Sequence, residues 1–359
     1  MSEVIYHDTI IAGWVTLLVL GISLLCSKVP NLPVYDSYIR SRRILGVAYI
    51  VFGICIAQFS IFNLRATAPS VAIALPLSYF YIEGILFAMS FISMLDREYL
   101  SSRHVRTDMA GYALFLIIVW TGAFLSNRTA GMILLITASV WFFGAVSIMS
   151  VRFVRIYRMA VNKINDYYSE NVEAFVKWLH KSTYGIIFFG LSASVLSFAP
   201  YWYNTVFMLC GIIMFIYIYV SMQNYALNVE SVQTAVAPEP AMYIAPDNPA
   251  LRPAIIKWVE EGGYRECGIT LEKLAMSINS NRSYVSSFIN SEYKCNFREW
   301  INTLRIEYAK DILVKHRDMT LEKIAADSGF SSSAYFCRQF QKHESMTPTQ
   351  WRESGNKKF

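Results

Sequence analysis

Residues 270–293 read TLEKLAMSINSNRSYVSSFINSEY, and residues 320–343 read TLEKIAADSGFSSSAYFCRQFQKH. The same four-residue start recurs 50 positions along the chain. Thr270 is placed to cap a helix whose apolar face is Leu271, Leu274, Ala275 and Ile278. The polar run Asn279, Ser280, Asn281 breaks that helix. A second helix then sets Tyr284, Val285, Phe288 and Ile289 on one side, with Arg282, Ser283, Ser286, Ser287 and Asn290 on the other. In the later copy Thr320 caps, Leu321, Ile324 and Ala325 pack, and Ser328 with Gly329 turns the chain. Its second helix buries Tyr335, Phe336 and Phe340, and presents Ser332, Ser333, Cys337, Arg338, Gln341 and Lys342. A cap, a short helix, a turn and a second amphipathic helix, written twice, make an internal repeat.

Between the copies lies FREWINTLRIEYAKDILVK, residues 297–315. Trp300, Leu304, Tyr308, Ile312 and Leu313 give it one apolar stripe along a long helix. The pattern predicts two three-helix units joined by a stiff rod. A helix fits the major groove of B-DNA, and two held by a rigid connector can enter successive groove segments roughly 34 Å apart.

Three runs carry a resemblance: LRIEYAKDIL (304–313), IAADSGFSSSAYFCRQF (324–340) and MTPTQWR (346–352). Together they resemble the DNA-binding domain of the AraC/XylS transcription regulators, over Pro249–Arg352. The resemblance implies that the second helix of each unit reads bases. It carries over to Ser283, Ser286, Ser287 and Asn290, and to Ser333, Ala334, Cys337, Arg338 and Gln341. Arg305 matches the family's connector arginine and Pro348 its near-terminal proline. Ser287 stands where the family often has Arg, Asn290 and Gln341 where it has Lys, and Lys294 and Ser345 where Gly is usual. Arg338 is the best placed for a bidentate contact with guanine. From Tyr264 onward there are 15 basic and 11 acidic residues, so modest intrinsic affinity is expected. Dimerisation or local concentration at a membrane would raise it.

The rest of the chain is of another kind. Of 359 residues, 55% are hydrophobic and 16% charged, where a soluble globular chain carries about 25% charge. Mean hydropathy is +0.35. This excludes a disordered regulator. The net charge of +6 divides unevenly. Up to Met222 there are 15 basic and 10 acidic residues; beyond it there are 17 and 16.

A bilayer core of roughly 30 Å takes about 20 apolar residues of helix. Seven stretches qualify on reading: about 9–26, 44–62, 71–95, 109–127, 129–151, 182–200 and 205–225. The last two share 48 uncharged positions, with the turn expected at Pro200 and the aromatics after it. Alternate loops carry 4, 3 and 6 basic residues, against 0, 1, 1 and 0 for the others, counting both ends. The positive-inside rule then puts the N-terminus outside and the C-terminal domain in the cytoplasm. The expected fold is all-α: a seven-transmembrane helix bundle (1–229), a Pro-rich linker (230–248) and a soluble double helix-turn-helix domain (249–359). The expected location is the bacterial cytoplasmic membrane. The first segment does not read as a cleaved signal peptide, having no basic n-region.

No catalytic constellation is expected. The five histidines lie in separate regions, and HExxH, GxSxG, P-loop and GxGxxG patterns do not occur. Six cysteines form no CxxC pair, so neither a disulfide framework nor a metal site is implied, and no cofactor is expected. Glu83 is the ionisable residue within an expected span, and such acids often mark a ligand or proton site. The alternative is a packing carboxyl hydrogen-bonded within the bundle, with Gln58 as its partner. The basic fifth loop, Arg152–Lys181, reads as a solvated extension facing lipid headgroups, with a coupler touching the DNA-binding domain as the sharper alternative.

The reading is a membrane-bound, sequence-specific transcription regulator and not an enzyme. Its expected partners are double-stranded DNA, the lipid bilayer, a second copy of the chain, RNA polymerase and an unknown signal ligand. The alternative is a transporter or receptor whose C-terminal domain is an interaction module without DNA contact. Proteolytic release of the soluble domain from the linker is a third course.

Overall fold

A computed structural model describes residues 2–30, 32–62, 68–125, 127–196, 201–236 and 250–354. Among them the chain is helical, with no strand beyond an isolated bridge between Tyr168 and Thr270. Contacts divide it into two units: residues 1–160 with 175–234, and residues 161–174 with 235–359.

The first unit contains α1 (Ser2–Cys26), α2 (Asp36–Phe62), α3 (Pro69–Leu95), α4 (Arg103–Phe124), α5 (Arg128–Tyr167), α6 (Lys177–Leu196), α7 (Tyr201–Tyr225) and α8 (Val229–Val236). Among the described residues, five helical stretches are long and apolar enough to cross a membrane: Val4–Cys26, Pro69–Leu95, Arg103–Phe124, Arg128–Tyr167 and Trp202–Val236. The expected spans at 44–62 and 182–200 fall on α2 and α6, where some side chains lie outside the description. So does the expected turn at Pro200.

The outward faces of these helices are apolar. Ile117 and Phe124 on α4, Ile133, Ile136 and Val140 on α5, and Ile213 on α7 are all exposed. A water-soluble unit rarely shows so much apolar surface. Inside, α1 and α2 approach so closely that a Cβ on Gly21 would stand 2.9 Å from the Gly46 carbonyl oxygen. Small residues at such crossings let helix backbones pack without lipid between them. Buried hydroxyls bond across helices, Ser41 to the Ser90 carbonyl at 2.6 Å and Tyr49 to the Phe215 carbonyl at 2.6 Å.

The linker differs from its expectation at one end. Residues 229–236 form α8, a helix that buries Val229, Val232 and Gln233. Gln233 donates to the Met94 carbonyl at 2.7 Å and accepts from Arg97 at 3.0 Å. Spacer composition thus begins one helix later than the charge boundary, because Glu230 ended the uncharged run without ending the apolar periodicity. The prolines at 238, 240, 246 and 249 lie outside the described residues.

The second unit holds α9 (Leu251–Glu260), α10 (Leu271–Ser277), α11 (Arg282–Tyr293), α12 (Phe297–Lys315), α13 (Leu321–Asp327), α14 (Ser333–Glu344) and α15 (Pro348–Ser354). α12 serves two cores. Its Phe297, Trp300 and Ile301 pack with Leu274, Val285 and Ile289. Its Ile306, Ala309 and Leu313 pack with Ile324, Phe336 and Phe340. Leu304 and Tyr308, expected on the buried stripe, are only half-buried, because a rod with a core on each side shifts its apolar face along its length. The end of α5 from Val161 and the segment to Ala174 belong to this unit too.

Candidate nucleic-acid interface

Both short helices are capped as their sequences imply. The Thr270 hydroxyl accepts from the Lys273 amide at 3.2 Å, and that of Thr320 from the Lys323 amide at 3.3 Å. Asn281 caps α11 by accepting from the Tyr284 amide at 2.9 Å, and Ser332 caps α14 by accepting from that of Tyr335 at 3.2 Å. Each cap satisfies an amide that the helix leaves free. The connector opens with a reciprocal pair: Asn296 accepts from the Glu299 amide while the Glu299 carboxylate reaches back to the Asn296 amide.

The turns differ in chemistry. Gly329 has φ +85, and a Cβ there would stand 2.5 Å from the Arg265 carbonyl oxygen. Only glycine fits both the left-handed backbone and that approach. At the ends of α11 and α14, Lys294 (φ 55) and Ser345 (φ 59) occupy the same left-handed region with a side chain present. These are the two places where the resembled family has glycine.

On α11, Ser283, Ser287 and Asn290 are exposed. Ser286 is half-buried and accepts from the Asn290 side chain at 3.2 Å. Arg282 is half-buried, its guanidinium carbon 5.3 Å from the centre of the Tyr167 ring. On α14, Ala334, Arg338, Gln341 and Lys342 are exposed, while Ser333 and Cys337 are half-buried. Burial pushes the Cys337 thiol above its ordinary pKa. Ser332 is exposed, as expected, and precedes α14 as its cap. Each repeat therefore gathers a mixed polar face on its second helix. The stronger fixed charge is on the second, at Arg338 and Lys342.

Part of the fifth loop, for which contact with this domain is the less favoured of two sequence readings, lies against the first repeat. Residues 161–174 are woven into this unit rather than left as a solvated extension, which corrects the reading favoured for that part of the fifth loop. Tyr167 donates to Glu272 of α10, and the Ser169 hydroxyl donates to the Ile269 carbonyl at 2.8 Å. The Asp166 carboxylate lies within hydrogen-bonding reach of the Asn290 side chain and the Phe297 backbone. Burial, opposed by those bonds, raises its pKa above the ordinary aspartate value. Arg298 donates to Asn165 at 2.9 Å and pairs with Glu173 at 3.3 Å. Asp166, Glu170 and Glu173, three acids in an otherwise basic loop, were the one signal present.

Glu170 reaches furthest. It accepts from Ser331 at 2.6 Å, one residue before the α14 cap, and pairs with Arg305 at 3.4 Å. Arg305 is fully buried. It also donates to the carbonyls of Tyr264 and Glu266, both at 2.8 Å, and lies 5.6 Å from the centre of the Phe330 ring. Burial pulls its pKa down and Glu170 pushes it back. One arginine thus ties the connector to the loop before α10, the turn before α14 and the α5 extension.

A helix-turn-helix domain model matches residues 274–354. Over 102 residues the chain is 32% identical to the probable transcription factor PqrA of Proteus vulgaris, covering 28% of this chain and 82% of that protein. The chain belongs, through its C-terminal domain, to the AraC-type helix-turn-helix transcription regulators. The regulatory protein PocR of Salmonella typhimurium is 30% identical over 88 residues, which are 24% of this chain and 29% of that one. The C-terminal domain of the two-component response regulator yesN from Fusobacterium nucleatum is 26% identical. It covers 28% of this chain and 97% of that one, with a TM-score of 0.26. PqrA is described as a probable transcription factor, PocR as a regulatory protein and yesN as a two-component response regulator.

Glu307, His343 and Glu344 could also gather around an ion. Lys310 already stands between the two glutamates, at 3.0 and 3.1 Å, and serves as the cation there.

Proposed function

We propose that the protein is a membrane-embedded, sequence-specific regulator of transcription. The apolar helices cross the bacterial cytoplasmic membrane seven times, with the N-terminus outside and the AraC-type domain in the cytoplasm. A signal received by the helical unit alters how that domain engages promoter DNA. One observation carries the coupling: α5 is a single helix from Arg128 to Tyr167 whose last turns, with residues up to Ala174, pack into the DNA-binding unit. The exposed apolar faces of α4, α5 and α7 support the bilayer assignment, as does the alternation of basic loops.

The α5 extension engages Asn290 through Asp166 and Arg282 through Tyr167. It therefore competes with DNA for two residues of the first reading face. Loosening the segment frees that face. Pairing of two chains on adjacent half-sites, and contact with RNA polymerase, complete the proposed action. Footprinting of the full chain in lipid nanodiscs on genomic fragments is the test. Protection of a defined sequence above nonspecific binding at physiological salt is expected. Uniform binding without a preferred site would defeat the reading.

The buried carboxylate at Glu83 favours a second reading, a transporter whose C-terminal domain contacts no DNA. Solute uptake lost in Glu83→Gln, with no footprint from the parent chain, would select it.

A further inference from the structure

The first unit contains a cavity of about 200 Å³. Its wall draws on α1, α2, α3, α5, α6 and α7, and is apolar over most of its area. Glu83 of α3 lines it and is only 3% exposed. Neither carboxylate oxygen of Glu83 has a hydrogen-bond partner among the described residues. The pairing with Gln58 that the alternative reading offered does not form; Gln58 lies beside the Tyr79 hydroxyl and does not line the cavity. Tyr49 is close enough to sense Glu83, but its hydroxyl is committed to the Phe215 carbonyl at 2.6 Å. Among the described residues, no lysine or arginine lines the cavity. A buried acceptor with no donor is costly, and burying a lone carboxylate costs more still.

What surrounds Glu83 says what would relieve that cost. Phe52, Phe80, Phe87, Phe142 and Phe215 line the same space. The Phe52 ring lies 5.3 Å from those of both Phe80 and Phe215, and Phe87 lies 6.0 Å from Phe215. Aromatic faces attract an organic cation, most strongly when it is desolvated. A hard metal cation wants about six oxygen ligands, which this wall does not assemble. The volume exceeds the roughly 150 Å³ that accepts one benzene. A single ring with a short side arm therefore fits.

We propose that this cavity binds a small primary amine carrying one ring or a short apolar chain, its ammonium on Glu83 and its apolar part among the phenylalanines. The proposal rests on the helical unit being the signal-receiving part, and it names the chemical class of the signal. Bound, the ammonium supplies the donors that the carboxylate lacks, and the charge is neutralised within the bundle. The α1, α2, α3, α5 and α7 walls then close on a filled space. α5 is the wall that continues to Tyr167.

The test uses the full chain in phosphatidylcholine nanodiscs, with phenethylamine as probe and phenethyl alcohol as its uncharged counterpart, read by titration calorimetry. Saturable one-to-one binding of the amine is expected, at least tenfold tighter than the alcohol. Glu83→Gln is expected to weaken the amine at least tenfold and leave the alcohol unchanged. Gly211→Leu keeps the carboxylate but fills the cavity, since the Cβ position there meets only Phe189, at 3.7 Å. It is expected to weaken both probes. Equal affinity for amine and alcohol, amine binding unchanged in either variant, or no saturable binding would each overturn the proposal. Footprinting on the same nanodiscs separates the two claims. Amine binding without any effect on the footprint leaves the site standing and removes its coupling to DNA. An amine-independent footprint with no amine binding removes the site and leaves the regulator.

Discussion

Arg338 and Arg305 illustrate how two arginines of one domain do different work. Arg338 stands exposed on α14, its guanidinium carbon 6.0 Å from the Tyr335 ring centre. Replacing it with alanine is expected to remove about 1–3 kcal/mol of discrimination at one base position. Binding measured against a set of single-base operator variants checks this; an equal loss on every sequence would mark a phosphate contact instead. Arg305 is sealed from solvent and holds two carbonyls and Glu170. Arg305→Ala strands all three, and is expected to destabilise the domain by about 3 kcal/mol in denaturant unfolding. Asp166 gives a pH dependence. Its folded-state pKa is raised, so the folded state holds its proton more tightly than the unfolded chain does. Docking of the α5 extension is then strongest below the ordinary aspartate pKa of about 3.9, and weakens as pH rises through the raised value. Asp166→Asn removes this dependence. Hydrogen exchange at the Ser169 amide, which bonds the Ile269 carbonyl at 3.4 Å, is the readout. The variant should gain protection over the parent as pH rises through that window, and hold a constant excess above it.

At the scale of elements, the two repeats agree in pattern and differ at their ends. Both α11 and α14 stop on a non-glycine residue in the left-handed region, at Lys294 and Ser345. An L side chain there is strained by roughly 1–2 kcal/mol. Lys294→Gly and Ser345→Gly are each expected to raise stability by about 1 kcal/mol, seen as a higher melting temperature of the domain. The opposite change at Gly329, to alanine, is expected to lower stability by more than that, because the Arg265 carbonyl occupies the Cβ position as well. The α10 and α13 caps, the buried faces of α11 and α14, and the turn residues were all legible from spacing. The left-handed ends were legible only through the resemblance, where glycine is usual at those two positions, since Lys and Ser carry no signal of their own for positive φ. The linker boundary was misplaced because charge was used to end a helix that its apolar face continues through Val236.

For the whole molecule, the consequential feature is one helix with residues in two units. If residues 165–170 compete with DNA for Arg282 and Asn290, cutting their hold should strengthen DNA binding. The double variant Asp166→Ala, Tyr167→Ala in nanodiscs is expected to bind its operator several-fold more tightly than the parent. A gel-shift titration at fixed salt decides it, and weaker or unchanged binding would mean that the segment supports the reading face. The regulator half of this picture was visible in the sequence because helix-turn-helix units are built from local spacing. The candidate reading faces were visible for the same reason: amphipathic periodicity fixes which side chains a helix buries, and the remainder face outward.

The sequence by itself determined the all-α class, the division into an apolar half and a charge-rich half, and the double repeat. These follow from composition and from periods of three to four residues, which the chain expresses wherever it folds. Only the tertiary structure decided that residues 161–174 belong to the DNA-binding unit, that Arg305 is a buried hub and that Glu83 lines a cavity without a partner. Each of these depends on residues about 30 to 170 positions apart meeting in space. Such meetings are set by how whole helices pack, and no local pattern records them.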